Sequence, residues 1–232
     1  MKWTGLAWLL LAAATPALAI EPSPIASAGE VKAGMGAVRL SVQSQTQQMG
    51  TLHVWFLRVG GDPSRKQDLL EFERKVGVPI AGVNMIDSKP RVYALRPGRY
   101  RLLGHGVKCG AVPPEGTTGC SVTQYGTYET PALRYGDIAP SFEVVAGRLT
   151  DAGEFILEAA PNSPITEESA LKIARKNPRW FRIGVRPIAE PIPASFRALP
   201  AGPAPDVPPG FVSAIQCPKR PKGAMMYLPF IC

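Results

Sequence analysis

The sequence predicts a mainly β fold: an antiparallel β-sandwich with one inserted short helix, then a C-terminal helix and an extended Pro-rich tail. Three observations carry this. Short runs alternate apolar and polar residues, as strands with one buried face do. Gly- and Pro-containing turns separate those runs. After Arg186 periodicity gives way to Pro at 187, 191, 193, 200, 203, 205, 208 and 209, which excludes regular helix and most sheet.

The elements follow in order. Residues 20–36 are rich in Pro, Ala, Ser and Gly, show no period and read as a flexible leader. Val38, Leu40 and Val42 alternate with Arg39, Ser41 and Gln43 as one strand. Leu52, Val54 and Phe56 alternate with His53, Trp55 and Leu57; both sets are largely apolar, so this strand is expected to be central. Asp62-Pro63 resembles a helix N-cap followed by Pro at the first helical position, and Leu69, Leu70, Phe72 and Val76 recur at helical spacing. A short helix over about Pro63–Lys75 is predicted. Val83–Ile86 is a candidate strand.

Val92 to Gly104 reads as a hairpin. Tyr100 and Leu102 alternate with Arg99 and Arg101, and Pro97-Gly98 suits the centre of a type II turn. A long polar loop follows, and Ser121–Leu133 is an edge strand or a loop. A second hairpin is predicted from Phe142 and Val144 through Gly147 to an arm at Leu149–Leu157, with an irregularity at Asp151-Ala152-Gly153. Thr166-Glu167-Glu168 then opens a helix of about three turns that ends at Pro178. Phe211–Cys232 regains apolar residues and is expected to fold back on the domain rather than hang free. The expected organisation is therefore 1–19 signal peptide, 20–36 leader, 37–160 sandwich and 161–232 helix plus basic tail.

Lys2, the apolar run Leu6–Ala14 and Ala17-Leu18-Ala19 have the three parts of a secretory signal peptide, with cleavage expected after Ala19. No later run is long and apolar enough for a transmembrane helix, so a periplasmic or secreted protein is expected. In that compartment four cysteines argue for two disulfides. Three connectivities are possible. Local pairing of Cys109 with Cys120 and of Cys217 with Cys232 is favoured, because each pair brackets a Pro- and Gly-containing loop. A zinc site fits poorly: neither pair has Cys-x-x-Cys spacing and no His lies near them.

The net charge of +8 is uneven. Pro161–Cys232 holds 10 Lys/Arg against 4 Asp/Glu. In an exported protein such a segment suits an anionic envelope component, or another envelope protein, better than nucleic acid; a solvated basic surface is the plainer alternative. Lys172, Arg175, Lys176, Arg179, Arg182 and Arg186 are the candidate contacts.

Catalytic signals are sparse. The two histidines are His53, inside an apolar strand, and His105, with no acid or nucleophile beside it in sequence. Oxidised cysteines are poor nucleophiles. Asp137 and Glu129 near Tyr125 and Tyr128 could form a polar acid–base site. No phosphate loop, dinucleotide fingerprint, zinc-protease or calcium-loop motif occurs, and no cofactor is expected.

The stretch Tyr-Ala-Leu-Arg-Pro-Gly-Arg-Tyr-Arg-Leu (93–102), followed by Phe-Glu-Val-Val-Ala-Gly-Arg-Leu-Thr-Asp-Ala-Gly-Glu-Phe (142–155), resembles a family of small bacterial envelope β-sandwich proteins of unknown function. These are similar to transthyretin-like and carboxypeptidase-regulatory-like domains. The resemblance covers about residues 38–158 and implies fold and compartment, with no catalytic residues to carry over. Several such proteins are lipoproteins, and this chain has no cysteine at the expected cleavage site. The functional expectation is an exported, non-enzymatic envelope protein that binds through its basic C-terminal segment. The alternative is a hydrolase or enzyme-inhibitor protein using the loop region 105–137.

Overall fold

The computed structural model describes residues 19–44, 51–74, 76–80, 83–86, 89–108, 135–159, 181–213 and 215. The chain is mainly β. The strands are β1 (Pro24–Ile25), β2 (Gly36–Ser44), β3 (Thr51–Arg58), β4 (Leu69–Arg74), β5 (Val76–Ile80), β6 (Val83–Ile86), β7 (Arg91–Leu95), β8 (Gly98–Lys108), β9 (Ser141–Val144), β10 (Leu149–Ala159) and β11 (Phe181–Arg186). A five-stranded sheet has the order β1-β7-β2-β10-β11, and a four-stranded sheet the order β4-β3-β8-β9; β5 and β6 pair as a separate ribbon.

One apolar cluster draws on both large sheets, with Val38, Leu40, Tyr93, Phe155 and Ile183 from the first and Leu52, Val54, Phe72, Leu102 and Phe142 from the second. Phe56 on β3 sits at its centre. Its ring lies 4.9 Å from that of Phe155, 5.1 Å from Phe142 and 5.7 Å from Phe72. Such tilted and edge-on pairs each add about 0.5–1.5 kcal/mol beyond the burial of their area.

The strand faces agree with the alternation in the sequence. Val38, Leu40 and Val42 point into the cluster, as do Leu52, Val54 and Phe56 on β3, which lies between β4 and β8. Tyr100 and Leu102 are buried while Arg99 is exposed. The irregularity at Asp151–Gly153 is a register shift in the β2–β10 ladder. That ladder is parallel, although the other strand pairs are antiparallel.

Several expectations are corrected. The two hairpins are crossings between sheets. β7 pairs with β1 and β2 while β8 pairs with β3 and β9. Likewise β9 pairs with β8, whereas β10 pairs with β2 and β11. A tight turn ordinarily returns a chain to its own ladder; here it hands the chain to the facing sheet. Gly98, at φ 147°, opens β8, and the Tyr100 hydroxyl donates to the Arg96 carbonyl at 3.0 Å, tying the corner down.

The helix predicted over Pro63–Lys75 does not form. Asp62 does cap: its Oδ1 accepts from the Ser64 amide at 2.8 Å and the Ser64 hydroxyl at 2.7 Å. Two turns follow, closed by Arg65 N to Asp62 O and Asp68 N to Arg65 O, and β4 then begins. Leu70 and Phe72 alternate with Glu71 and Glu73, a period-2 pattern satisfied by pairing with β3. Burial in the sheet outweighed the local helical spacing.

Residues 20–36 are not a free leader. Ile20 bridges Leu70, β1 pairs with β7, and Ser27 and Glu30 cap a short 3-10 turn at Ala28–Glu30. Nor does the sheet end near Pro161, since β11 adds its edge strand. The expected helix at Thr166–Pro178, residues 1–18 of the expected signal peptide, residues 121–133 and all four cysteines lie outside the described residues.

Candidate functional site

The charged residues gather in two places with opposite settings: the outer face of the five-stranded sheet, and one end of the four-stranded sheet.

On the five-stranded sheet, Arg39 and Gln43 of β2 stand beside Asp151, Glu154 and Glu158 of β10 and Arg182 and Arg186 of β11. Arg39 Nη1 lies 3.2 Å from Asp151 Oδ2. Gln43 donates to Glu154 at 3.1 Å, and Arg186 Nε reaches the other Glu154 oxygen at 2.5 Å. Arg182 Nη2 lies 2.7 Å from Glu158, whose second oxygen accepts from the Ser213 hydroxyl at 2.6 Å. Arg39, Glu154 and Glu158 are only 2–3% exposed. Burial pushes the Asp151 and Glu154 carboxyls above their ordinary values, and the adjacent arginines, Arg39 and Arg186, offset part of that rise. Gly184, paired with Ile156, lies beside it: a Cβ there would fall 2.5 Å from the Glu158 carboxylate, which would have to shift.

The Pro-rich tail covers this face. Arg39 donates to the carbonyls of Glu190 at 2.8 Å and Pro191 at 3.3 Å. Phe196 is buried with Ala37, Val92 and Leu149. The tail then bridges Leu149 through Ala201, Ser141 through Asp206 and Val185 through Val212. Val207 and Phe211 pack on the main cluster, and Arg182 donates to the carbonyls of Gly210 and Val212. Pro193 and Pro208 hold polyproline-like dihedrals, as the Pro density implied. The tail therefore packs on its own domain as far as residue 215.

Two of the six candidate contact residues, Arg182 and Arg186, belong to this internal network. Lys172, Arg175, Lys176 and Arg179 lie outside the described residues. The network's acidic half was missed by sequence reasoning. The available signal was the opposite sign of mid-strand polar residues on β2 and β10, together with the unread alternation of Arg182-Ile183-Gly184-Val185-Arg186.

At the other place, the loop from Val59 to Asp68 meets the β7–β8 corner. The Val59 amide donates to the Arg99 carbonyl at 2.7 Å, Arg96 donates to Gln67 at 3.3 Å, and Arg58 packs over Gly98. Arg65, Lys66, Arg96 and Arg99 are exposed, and so is Val59 at 50%. The acids here are Asp62, 3.7 Å from Arg65, and the buried Asp68, 3.9 Å from Arg58. Arg99 also pairs with Asp206 at 2.6 Å.

Of the residues considered for acid–base chemistry, the described ones, His53, His105 and Asp137, each take a different partner. His53 pairs with Glu71 at 2.5 Å and stacks on Trp55, on the outward side of β3; its Nε2 is buried without a hydrogen-bond partner. His105 is buried and hydrogen-bonds the Tyr135 hydroxyl. Asp137 is exposed and pairs with Arg101 at 2.5 Å. Tyr125, Tyr128 and Glu129 lie outside the described residues. Among the described residues no group of three or more His, Cys, Asp or Glu side chains could hold a metal ion, and no helix is long and apolar enough to cross a membrane.

No protein-family model matches the chain, and no curated protein matches it. Among solved structures, a leucine-rich repeat protein from Bacteroides thetaiotaomicron aligns over 55% of this chain at 16% identity, with a TM-score of 0.30. The alignment spans 13% of that protein's chain, and a likeness at this score carries no argument about fold or function.

Proposed function

We propose that this is an exported, non-enzymatic protein of the bacterial envelope: a β-sandwich of the envelope type, closed by its own tail, that binds an anionic envelope component. The observation that carries this reading is the division of the cations. Arg39, Arg182 and Arg186 donate to backbone carbonyls of the tail, at Glu190, Gly210 and Ile215 among others, while Lys172, Arg175, Lys176 and Arg179 add positive charge in the segment just before β11. Aromatic contact across the two sheets and the tyrosine-tied corner support the sandwich. The pairing of Ile20 with Leu70 supports processing after Ala19, since the new first residue would already be seated in the fold.

The test is co-sedimentation of the Ile20–Cys232 chain with purified envelope fractions at low and high salt. Removing everything beyond Ala160 would delete β11, so the proper variant is the charge reversal Lys172→Glu, Arg175→Glu, Lys176→Glu and Arg179→Glu. Salt-sensitive binding weakened by the reversal is the expected result. Absence of binding, or binding indifferent to salt, overturns the reading.

A further inference from the structure

We infer that the end of the four-stranded sheet formed by the Val59–Asp68 loop and the β7–β8 corner is a contact surface for an anionic lipid bilayer. The inference rests on the anionic-envelope reading above and assigns it a second surface.

The cations are gathered by the fold, not by sequence. Arg58 ends β3, Arg65 and Lys66 come from the connection to β4, and Arg96 and Arg99 from a corner some thirty residues on; hydrogen bonds hold the segments together. Asp62, the buried Asp68 and Asp206, which pairs with Arg99, still leave a positive excess. Arg65 and Lys66 lie in turns outside the ladders and are exposed, with Asp62 3.7 Å from Arg65. Arginine forks suit phosphate oxygens, and lysine adds a point charge.

What favours a bilayer over a soluble polyanion is Val59. It is half exposed at the tip of the sheet, beside Arg58 and before Gly60-Gly61. An apolar side chain on this cationic end gains from a surface whose charged layer overlies hydrocarbon, whereas a dissolved polymer offers it nothing.

The experiment measures partitioning of the Ile20–Cys232 chain onto vesicles of phosphatidylglycerol with phosphatidylcholine, against pure phosphatidylcholine, with soluble polyphosphate as a second probe. The triple variant Arg65→Glu, Lys66→Glu, Arg96→Glu should lose about a hundredfold or more in partitioning, since each cation near an anionic surface contributes roughly fivefold. Val59→Ser, which removes the apolar side chain without changing the charge, should weaken vesicle binding and leave polyphosphate binding unchanged. Circular dichroism and the urea midpoint verify that each variant is folded. Unchanged vesicle binding by a folded triple variant overturns the inference. If only the reversal at 172–179 abolishes binding, the anionic-envelope reading stands and this surface is wrong. Binding to neither probe sinks both, and binding to polyphosphate alone overturns the lipid assignment.

Discussion

Arginines on the outer face of the five-stranded sheet and at the end of the four-stranded sheet meet opposite fates. Arg39, Arg182 and Arg186 sit on the two strands that flank β10 in one sheet, facing its carboxylates and bonded to the Pro-rich tail. Arg65, Arg96 and Arg99 sit at the end of the other sheet, open to water. Residue type and strand alternation do not separate the two groups, because Arg39 alternates with Val38 and Leu40 much as Arg99 and Arg101 alternate with Tyr100 and Leu102. Cover separates them. Under the tail, a cation must be paired, since an uncompensated buried charge is costly. At the corner, water solvates the charge and pairing contributes little.

The comparison can be tested by unequal damage. The largest effect is expected from Arg186→Ala, which leaves Glu154 buried at 3% exposure without its strongest partner; urea denaturation should show a loss of about 3–5 kcal/mol. A loss below about 1 kcal/mol would mean that water reaches the network and that the two regions do not differ in kind.

A subtler effect concerns pH. The folded state holds the Glu154 proton more tightly than its ordinary value of 4.5, because burial disfavours the carboxylate. The folded form therefore binds more protons within the window between 4.5 and the raised folded value. The penalty for keeping Glu154 ionised is complete above that window and is relieved as pH falls through it. Relative to Glu154→Gln, the wild-type protein should gain stability as pH is lowered toward 4.5. An opposite slope would show that the Arg186 pair outweighs burial.

The smallest effect is expected at the corner. The triple charge reversal Arg65→Glu, Lys66→Glu, Arg96→Glu should move stability by no more than about 0.5 kcal/mol per site in the same denaturation. A change as large as that of Arg186→Ala would show that the corner is structural, and the contrast would collapse.

Particular elements show why part of the fold was legible in advance. Alternation in β2, β3 and β8 is a local signal, because the pleat places neighbouring side chains on opposite faces wherever the strand sits. The Asp151–Gly153 bulge and the polyproline character of the tail are local for the same reason. Val92–Gly104 was misread because a Pro-Gly turn specifies a change of direction, not which sheet receives the next strand. Leu69–Arg74 was misread because its short apolar pattern fits both periods, and only pairing with β3 decides. The candidate site was less legible still: the corner joins residues far apart in sequence, and the carboxylates that engage Arg182 and Arg186 lie on a neighbouring strand.

The sequence by itself determined a mainly β chain, the buried face of its principal strands, its excess of positive charge and a tail unable to form regular structure. Each of these follows from side-chain chemistry and dihedral limits acting within a few residues. Tertiary structure decided the parallel pairing of β2 with β10, the passage of β7–β8 and β9–β10 between sheets, and the seating of the tail. It also decided which arginines are buried and which meet water. Those outcomes depend on which surfaces cover one another, and burial is a property of the assembled fold rather than of any segment within it.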